Sequence, residues 1–126
     1  GTLMTGISSK RKSSTILIID DDGSFKLMVS NILSHSGFNV VEASTLEEAC
    51  EVMQKSTPDI VLLDLNLASQ DGSEFLLKRN NGEFYGRVPV IICSSENDST
   101  RVKSLASLGI VDYLLKPIRQ DHLISK

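Results

Sequence analysis

The sequence predicts an α/β fold in which a parallel sheet is covered by helices on both faces. Short apolar runs of strand length, such as residues 16–19 and 60–63, recur along the chain and end in polar residues. Runs of this kind are typical of strands buried on both faces of a parallel sheet. Segments with apolar residues at helical spacing separate them. Regular alternation of strand and helix implies right-handed crossovers and a doubly wound sheet.

The first half of the chain supplies two strands and two helices. A strand at residues 16–19 precedes a helix for which Gly37 is well placed as the residue just past the C-terminus. A second short strand lies at residues 40–41, and Thr45 and Glu48 then form a capping-box pattern that begins helix two. The apolar positions of the first helix have helical spacing: Phe25, Met28, Val29, Ile32 and Leu33.

The second half supplies three further strands and three helices. We expect the third strand at 60–63, the third helix from about 73, the fourth strand at 88–93, the fourth helix from about 97–100 to 108, the fifth strand at 113–115 and a last helix from about 119. The last helix has room for only two turns, so we expect it to be truncated. For five strands and five helices in a chain of this size, the natural strand order is flavodoxin-like, 2-1-3-4-5.

Composition predicts one soluble domain. The chain has 126 residues, of which 40% are hydrophobic and 23% charged, and no run reaches transmembrane length. Its net charge of −3 gives no general reason to bind nucleic acid or an anionic membrane. Residues 1–14 are rich in small polar residues and are expected to be a flexible lead-in to a domain at 15–126. Cys50 and Cys93 lie in apolar patterns, which predicts core thiols and a reducing, cytoplasmic compartment.

Polar groups follow four strands that are neighbours in the predicted order. They are Asp20, Asp21 and Asp22 after strand one, Asp64 after strand three, Ser94 after strand four and Lys116 after strand five. The carboxyl ends of parallel strands share one sheet edge, where ligands bind. Capping of the first helix explains Asp22. It does not explain three more carboxylates that repel one another, and a divalent cation would offset this repulsion. Oxygen ligands without nearby His or Cys favour Mg²⁺ over zinc.

A carboxylate, a divalent metal, a hydroxyl and an amine around one point suit phosphoryl transfer. The acidic residues after strand one argue against a flavin or dinucleotide phosphate, which would need a Gly-rich turn there. The chain contains no GxxxxGK[ST] loop, which excludes a P-loop NTPase.

From about Thr15 to its end, the chain resembles the receiver domain of two-component response regulators. The residues that carry the resemblance are 16–21 (Ile-Leu-Ile-Ile-Asp-Asp), 61–66 (Val-Leu-Leu-Asp-Leu-Asn), Asp71-Gly72, 89–94 (Pro-Val-Ile-Ile-Cys-Ser) and 113–117 (Tyr-Leu-Leu-Lys-Pro). The resemblance implies that Asp64 accepts a phosphoryl group from the phosphohistidine of a histidine kinase or phosphotransfer domain. It also implies that Asp21, Asp64 and the carbonyl of Asn66 bind Mg²⁺ directly, with Asp20 acting through water.

The resemblance further implies how the site is completed and how it signals. Ser94 and Lys116 would hold the phosphoryl oxygens, and Tyr113 occupies the position of an aromatic switch. Asn66 and Glu96 lie two residues past Asp64 and Ser94, and from these positions we predict that they flank the path of attacking water and tune dephosphorylation. The face formed by the fourth helix, fifth strand and fifth helix would contact an output domain, a partner protein or a second copy of the chain. Catalysis would be limited to the domain's own phosphorylation and dephosphorylation.

Three features depart from the family pattern. Ala68 stands where the family commonly has proline, Ser95 where glycine or alanine is more frequent, and the final helix looks truncated. None of them removes a chemical group of the site.

Two other functions fit parts of the pattern. A phosphatase of the haloacid-dehalogenase type also uses a strand-end aspartate with Mg²⁺, but it needs a second aspartate two residues on, where this chain has Asn66. A receiver-shaped module that signals without phosphorylation would not need the complete set of chemical groups.

Overall fold

Five parallel strands form one sheet, and their order across it, 2-1-3-4-5 when the strands of this sheet are counted along the chain, confirms the predicted flavodoxin-like order. The structure, a computed structural model, describes residues 14–67, 70–82, 88–95 and 99–116. The strands of the sheet are β1 (Thr15–Ile19), β2 (Asn39–Ala43), β3 (Ile60–Leu63), β6 (Val90–Ser94) and β7 (Asp112–Leu115). The described helices are α1 (Gly23–His35), α2 (Leu46–Lys55), α3 (Ser73–Asn80) and α4 (Ser99–Ser107). The predicted lead-in up to residue 13, Ala68, Glu96 and the predicted last helix lie outside the described residues.

A small antiparallel hairpin follows β3, where the sequence predicted only a loop. It consists of β4 (Asn66–Leu67) and β5 (Gln70–Asp71), with Asn66 opposite Asp71 and Leu67 opposite Gln70. Strands of two residues are too short to show the alternation that marks a strand in a sequence. The hairpin joins the end of the central strand to the start of α3.

Alternate residues of the strands supply two cores, one on each face of the sheet. Leu17, Leu63 and Ile92 face the larger core, which includes residues of α2 and α3 such as Met53 and Phe75. The other face carries Ile16, Ile18, Leu62, Ile91 and Cys93, packed with Phe25, Val29 and Leu33 of α1. Because the central strands are buried on both faces, their sequences read as continuous apolar runs.

The predicted start and end of the first helix and the predicted start of the second are confirmed. Asp22 accepts hydrogen bonds from the backbone N–H groups of Ser24 (2.9 Å) and Phe25 (3.2 Å) at the start of α1. Gly37, just past the end of α1, has a φ of 94°, which favours glycine. At the start of α2, Thr45 Oγ1 accepts from the Glu48 N–H at 3.1 Å. These caps fix the directions in which α1 and α2 leave the sheet edge.

Helix α1 differs from the prediction on its interior face. Met28 shares the helical spacing of the apolar positions but is 40% exposed, whereas Lys26 is buried. The Lys26 ammonium donates to Ser44 Oγ, and its aliphatic stem occupies the interior position that a helical-spacing argument assigns only to apolar residues. Helical spacing alone therefore does not separate the interior position of Lys26 from the exposed position of Met28.

A buried arginine connects α3 to the C-terminal end of α4. Arg79 is 4% exposed, and its guanidinium donates to the carbonyl oxygens of Val88 (3.1 Å), Leu108 (2.7 Å) and Gly109 (2.8 Å). Its Nε donates to Asn80 Oδ1 at 3.1 Å. The bonds to the backbone carbonyls hold the C-terminal end of α4 near the residues that precede β6.

Cys50 and Cys93 are not joined by a disulfide; Cys93 is buried, as predicted, and Cys50 is partly buried. Burial raises the pKa of Cys93 to about 12, so this thiol is unreactive at neutral pH. Within the described ranges, no helix combines the length and apolarity needed to cross a bilayer.

Candidate functional site

Three carboxylates meet at the carboxyl edge of the sheet. Strand β1 pairs with β3 so that Ile19 lies opposite Leu63, which places Asp20 and Asp64 side by side at the next position. Carboxylate oxygens of Asp20, Asp21 and Asp64 lie within 4.8 Å of one another. Asp20 and Asp64 are buried, whereas Asp21 is exposed and forms the open side of the cluster. The structure thus brings together the three acids that the sequence placed at this edge.

Lys116 reaches into the cluster from the end of β7. Its Nζ lies 2.8 Å from Asp20 Oδ2 and 3.8 Å from Asp64 Oδ2. The ammonium also lies 4.1 Å from the ring centroid of Phe25, in the first turn of α1. Phe25 was predicted only as a core residue. Its contact with the ammonium adds a cation–π interaction that restrains the lysine.

The pKa values of Asp64 and Lys116 are both raised, for different reasons. Burial raises the pKa of Asp64 most, and the charges of Asp20 and Asp21 raise it further, against the lowering effects of the Asn66 N–H and Lys116. Burial lowers the pKa of Lys116, but its hydrogen bond to Asp20 and the nearby negative charges outweigh this, and the net shift is upward. The lysine is therefore held as a cation beside a carboxylate whose ionisation is costly.

Ser94 and Asn66 complete the polar rim of the site. Asn66 N–H donates to Asp64 Oδ1 at 3.2 Å, and Asn66 Nδ2 lies 3.5 Å from Ser94 Oγ. Ser94 is fully buried at the end of β6, and its carbonyl accepts from the Lys116 N–H at 2.8 Å. Tyr113 lies on β7 opposite Ile92, is partly buried, and packs against the larger core.

The backbone of Gly72 lies directly against the backbone of Asp64. A Cβ atom at position 72 would lie 2.1 Å from the carbonyl oxygen of Asp64, and the Gly72 N–H donates to Leu65 O at 2.8 Å. A side chain here would displace the segment that carries Asp64, so glycine is required for close approach and not for a positive φ. The sequence marked Asp71-Gly72 only through the family resemblance.

The donor set fits a hard divalent cation. The cluster consists of carboxylate oxygens with one open side, which is what Mg²⁺ prefers and which leaves room for water and substrate oxygens. Two of its acids are buried and repel each other, and Lys116 offsets this repulsion only partly. A bound cation would therefore reduce the remaining repulsion between the carboxylates.

A strand-end aspartate with a metal-fitting acidic cluster, a lysine and a buried hydroxyl on this fold defines a phosphoacceptor domain. The family model of the response regulator receiver domain matches residues 16–126, and the chain therefore belongs to that family. It is a receiver domain of two-component signal transduction, as the sequence predicted.

Similar proteins agree with this assignment. The chain is 30% identical to the chemotaxis protein CheY of Bacillus subtilis over 110 residues, which are 86% of this chain and 90% of that protein. It is 27% identical over 121 residues to the CAI-1 autoinducer sensor kinase/phosphatase CqsS of Vibrio cholerae, covering 95% of this chain but only 18% of that protein. A two-component response regulator from Clostridium difficile superposes with a TM-score of 0.83 at 25% identity, over 90% of this chain and 91% of that one.

Proposed function

We propose that Asp64 is the residue that accepts the phosphoryl group. The observation that carries this proposal is the position of its carboxylate, which lies at the end of the central strand, 3.8 Å from the Lys116 ammonium and beside Asp20 and Asp21. A nucleophilic carboxylate must approach a phosphorus atom surrounded by negative oxygens, and nearby cations reduce that repulsion.

The metal in this proposal is Mg²⁺. Asp21, Asp64 and the carbonyl oxygen of Asn66 would hold it directly, and Asp20 would hold it through water. Bound there, the ion would neutralise charge on the phosphoryl oxygens during transfer. The exposure of Asp21 supports its assignment as a direct ligand on the open side, whereas the hydrogen bond of Asp20 with Lys116 supports an outer role.

The remaining chemistry rests on five side chains. An oxygen of ionised Asp64 forms the new O–P bond, the P–N bond of the donor phosphohistidine breaks, and its electron pair stays on the imidazole. Lys116 and Ser94 then hold the phosphoryl oxygens. Asn66 and Glu96 tune the hydrolysis that returns the domain to its resting state. The domain catalyses these two reactions of its own and no others.

The donor in this proposal is the phosphohistidine of a histidine kinase or phosphotransfer domain. Leu27 and Met28, exposed to 63% and 40% on α1, provide apolar surface on the helix that starts directly after the acidic residues. Apolar side chains on this helix would let a partner dock next to Asp64. The free cysteines agree with the cytoplasmic location that the sequence predicts.

Phosphodonor labelling of the purified chain tests the assignment of function. Incubation with acetyl phosphate or phosphoramidate and Mg²⁺ should add one base-labile phosphoryl group, detected by intact mass, and chelation of the metal should prevent it. Absence of labelling would favour a module that signals without phosphorylation. Steady hydrolysis of added phosphomonoesters would favour the haloacid-dehalogenase type of phosphatase.

We also propose that Ser94 and Tyr113 transmit the signal to the face formed by α4, β7 and the last helix. Strands β6 and β7 are hydrogen-bonded neighbours, with Ile92 opposite Tyr113 and Ser94 opposite Leu115. Leu105 of α4 and Tyr113 belong to the same core, so a movement of Ser94 toward new phosphoryl oxygens would change the packing of both. This face would bind an output domain, a partner or a second copy of the chain.

Amide chemical shifts with and without beryllofluoride and Mg²⁺ test the switch. We expect changes around Asp64 and also across residues 102–113, because the packing change extends to α4 and β7. The Asp64→Asn variant is the control and should show no beryllofluoride response. Changes confined to the immediate surroundings of Asp21, Asp64, Ser94 and Lys116 would contradict the switch.

A further inference from the structure

An ion pair connects helix α4 to the hairpin that follows the acceptor strand. Arg101 Nη2 lies 2.8 Å from Asp71 Oδ1. The same Asp71 oxygen accepts hydrogen bonds from the N–H (3.0 Å) and the hydroxyl (2.9 Å) of Ser73 at the start of α3. Burial raises the pKa of Asp71, but these hydrogen bonds and the Arg101 charge outweigh it and lower the pKa. The aspartate is therefore a stable anion whose Oδ1 is held by both α3 and α4.

The backbone around Asp71 directly contacts the segments that carry the proposed metal ligands. In the hairpin it is the direct antiparallel partner of Asn66, whose carbonyl is a proposed Mg²⁺ ligand. The next residue, Gly72, packs against the carbonyl oxygen of Asp64 without room for a Cβ and donates to Leu65 O. A displacement of Asp71 would therefore also displace the backbone at Asn66 and Asp64.

We infer that Arg101 is a positioning residue for the metal-binding segment, acting through Asp71 on the hairpin that carries Asn66. The inference rests on the proposed function, since it takes Asn66 and Asp64 as metal ligands. This coupling is reciprocal. If the contact of Arg101 with Asp71 strengthens Mg²⁺ binding, bound Mg²⁺ stabilises that contact, and with it the N-terminal part of α4, by the same free energy. This connection reaches α4 from the β3 side of the site and is separate from the one through Ser94 and Tyr113.

The size of the effect is limited by exposure. The side chains of Arg101 and Asp71 are 30% and 51% exposed, and ion pairs of this kind are weak. We therefore expect loss of the pair to weaken Mg²⁺ binding by about two- to fivefold. It should leave the fold and the acidic cluster intact.

Magnesium titrations followed by amide chemical shifts test the inference on four proteins. Arg101→Ala should bind Mg²⁺ about two- to fivefold more weakly than the wild type, and Arg101→Lys should recover part of the loss. Lys103→Ala is the matched control, because Lys103 is an exposed cation on the same helix for which no ion pair with a described residue is found. Removing a cation without the contact should leave Mg²⁺ binding unchanged or slightly tighter, by long-range electrostatics. Equal effects of Arg101→Ala and Lys103→Ala would overturn the inference.

A double-mutant cycle with Asp71→Asn tests the route. Asparagine keeps an oxygen that can cap α3 through Ser73 but removes the charge that pairs with Arg101. The effect of Arg101→Ala on Mg²⁺ affinity should largely disappear in the Asp71→Asn background. Additive effects would mean that Arg101 acts by another route.

Hydrogen exchange in the metal-free protein separates this inference from the proposed function. The Gly72 amide, bonded to Leu65 O, should exchange faster in Arg101→Ala than in the wild type or Lys103→Ala. If the wild type failed to bind Mg²⁺ but this difference appeared, the proposed metal site would fail and the link between α4 and the hairpin would stand. If Mg²⁺ bound normally and exchange at Gly72 were unchanged, the link would fail instead.

Discussion

Asp64→Asn should abolish uptake of the phosphoryl group while leaving the fold intact. The substitution keeps the shape of the side chain and an oxygen that can accept from the Asn66 N–H, but it removes the nucleophilic carboxylate. Labelling with a small phosphodonor and Mg²⁺ should therefore fall from one group per chain to none. Asp59→Asn is the control, because Asp59 precedes the same strand at its other end, where it accepts from the Thr15 N–H at 2.7 Å. Undiminished labelling of Asp64→Asn would assign the acceptor to another residue.

The same variant should be more stable than the wild type in the absence of metal. Burial raises the pKa of Asp64, and the charges of Asp20 and Asp21 add to this, so the ionised side chain destabilises the fold at neutral pH. We expect the substitution to increase the free energy of unfolding by about 0.5–2 kcal/mol, a common gain when a functional charge is removed.

The gain should depend on pH in a defined direction. A raised carboxyl pKa means that the folded state binds the proton more tightly than the unfolded chain does. This contribution to wild-type stability is complete below the unfolded pKa, near 3.8, and is lost as pH rises through the higher folded pKa. The advantage of Asp64→Asn should therefore be small in acid and grow toward neutral pH, as measured by urea unfolding. An advantage that grows toward acid would contradict the shift.

The sheet and its polar edge follow from features that a sequence records directly. Apolar runs of four or five residues mark strands buried on both faces, and the polar residue after each run marks the carboxyl edge. Regular alternation with helices then sets the strand order, which brings Asp20, Asp64 and Lys116 to one place although they lie far apart in the chain. The caps at Asp22 and Thr45 could also be predicted, because each bonds a backbone N–H within three residues of it in the sequence.

Contacts between elements that are distant in sequence could not be predicted from the sequence. Nothing in the local pattern pairs Arg101 with Asp71, aims Arg79 at the carbonyl oxygens near Leu108, or buries Lys26 beside Ser44. Each is a long polar side chain whose partner is fixed only by the packing of two helices or of a helix and a loop. The requirement for glycine at position 72 is likewise set by the approach of another backbone segment and not by its own conformation.

Lys116→Met should cost the metal-free protein about 2–4 kcal/mol of stability, because it leaves a buried carboxylate without its cation. Asp20 is 1% exposed, its Oδ2 pairs with the Lys116 ammonium at 2.8 Å, and its Oδ1 accepts a hydrogen bond from the Asp22 N–H at 2.9 Å. Methionine matches the length of the lysine stem and keeps a contact with Phe25, so the loss reports mainly on charge. Lys103→Met, an exposed lysine on α4, should change stability by less than about 0.5 kcal/mol.

Magnesium and pH should identify the origin of that loss. In the variant a bound cation would replace the missing ammonium, so saturating Mg²⁺ should recover more stability in Lys116→Met than it adds to the wild type. Because the pKa of Lys116 is raised above 10.5, its contribution is complete below that pH and is lost as pH rises through the folded value. The wild type should therefore lose stability in strong alkali in a step that Lys116→Met lacks. If the two proteins were equally stable at neutral pH without metal, the Lys116 ammonium would not be what stabilises the buried negative charge of Asp20.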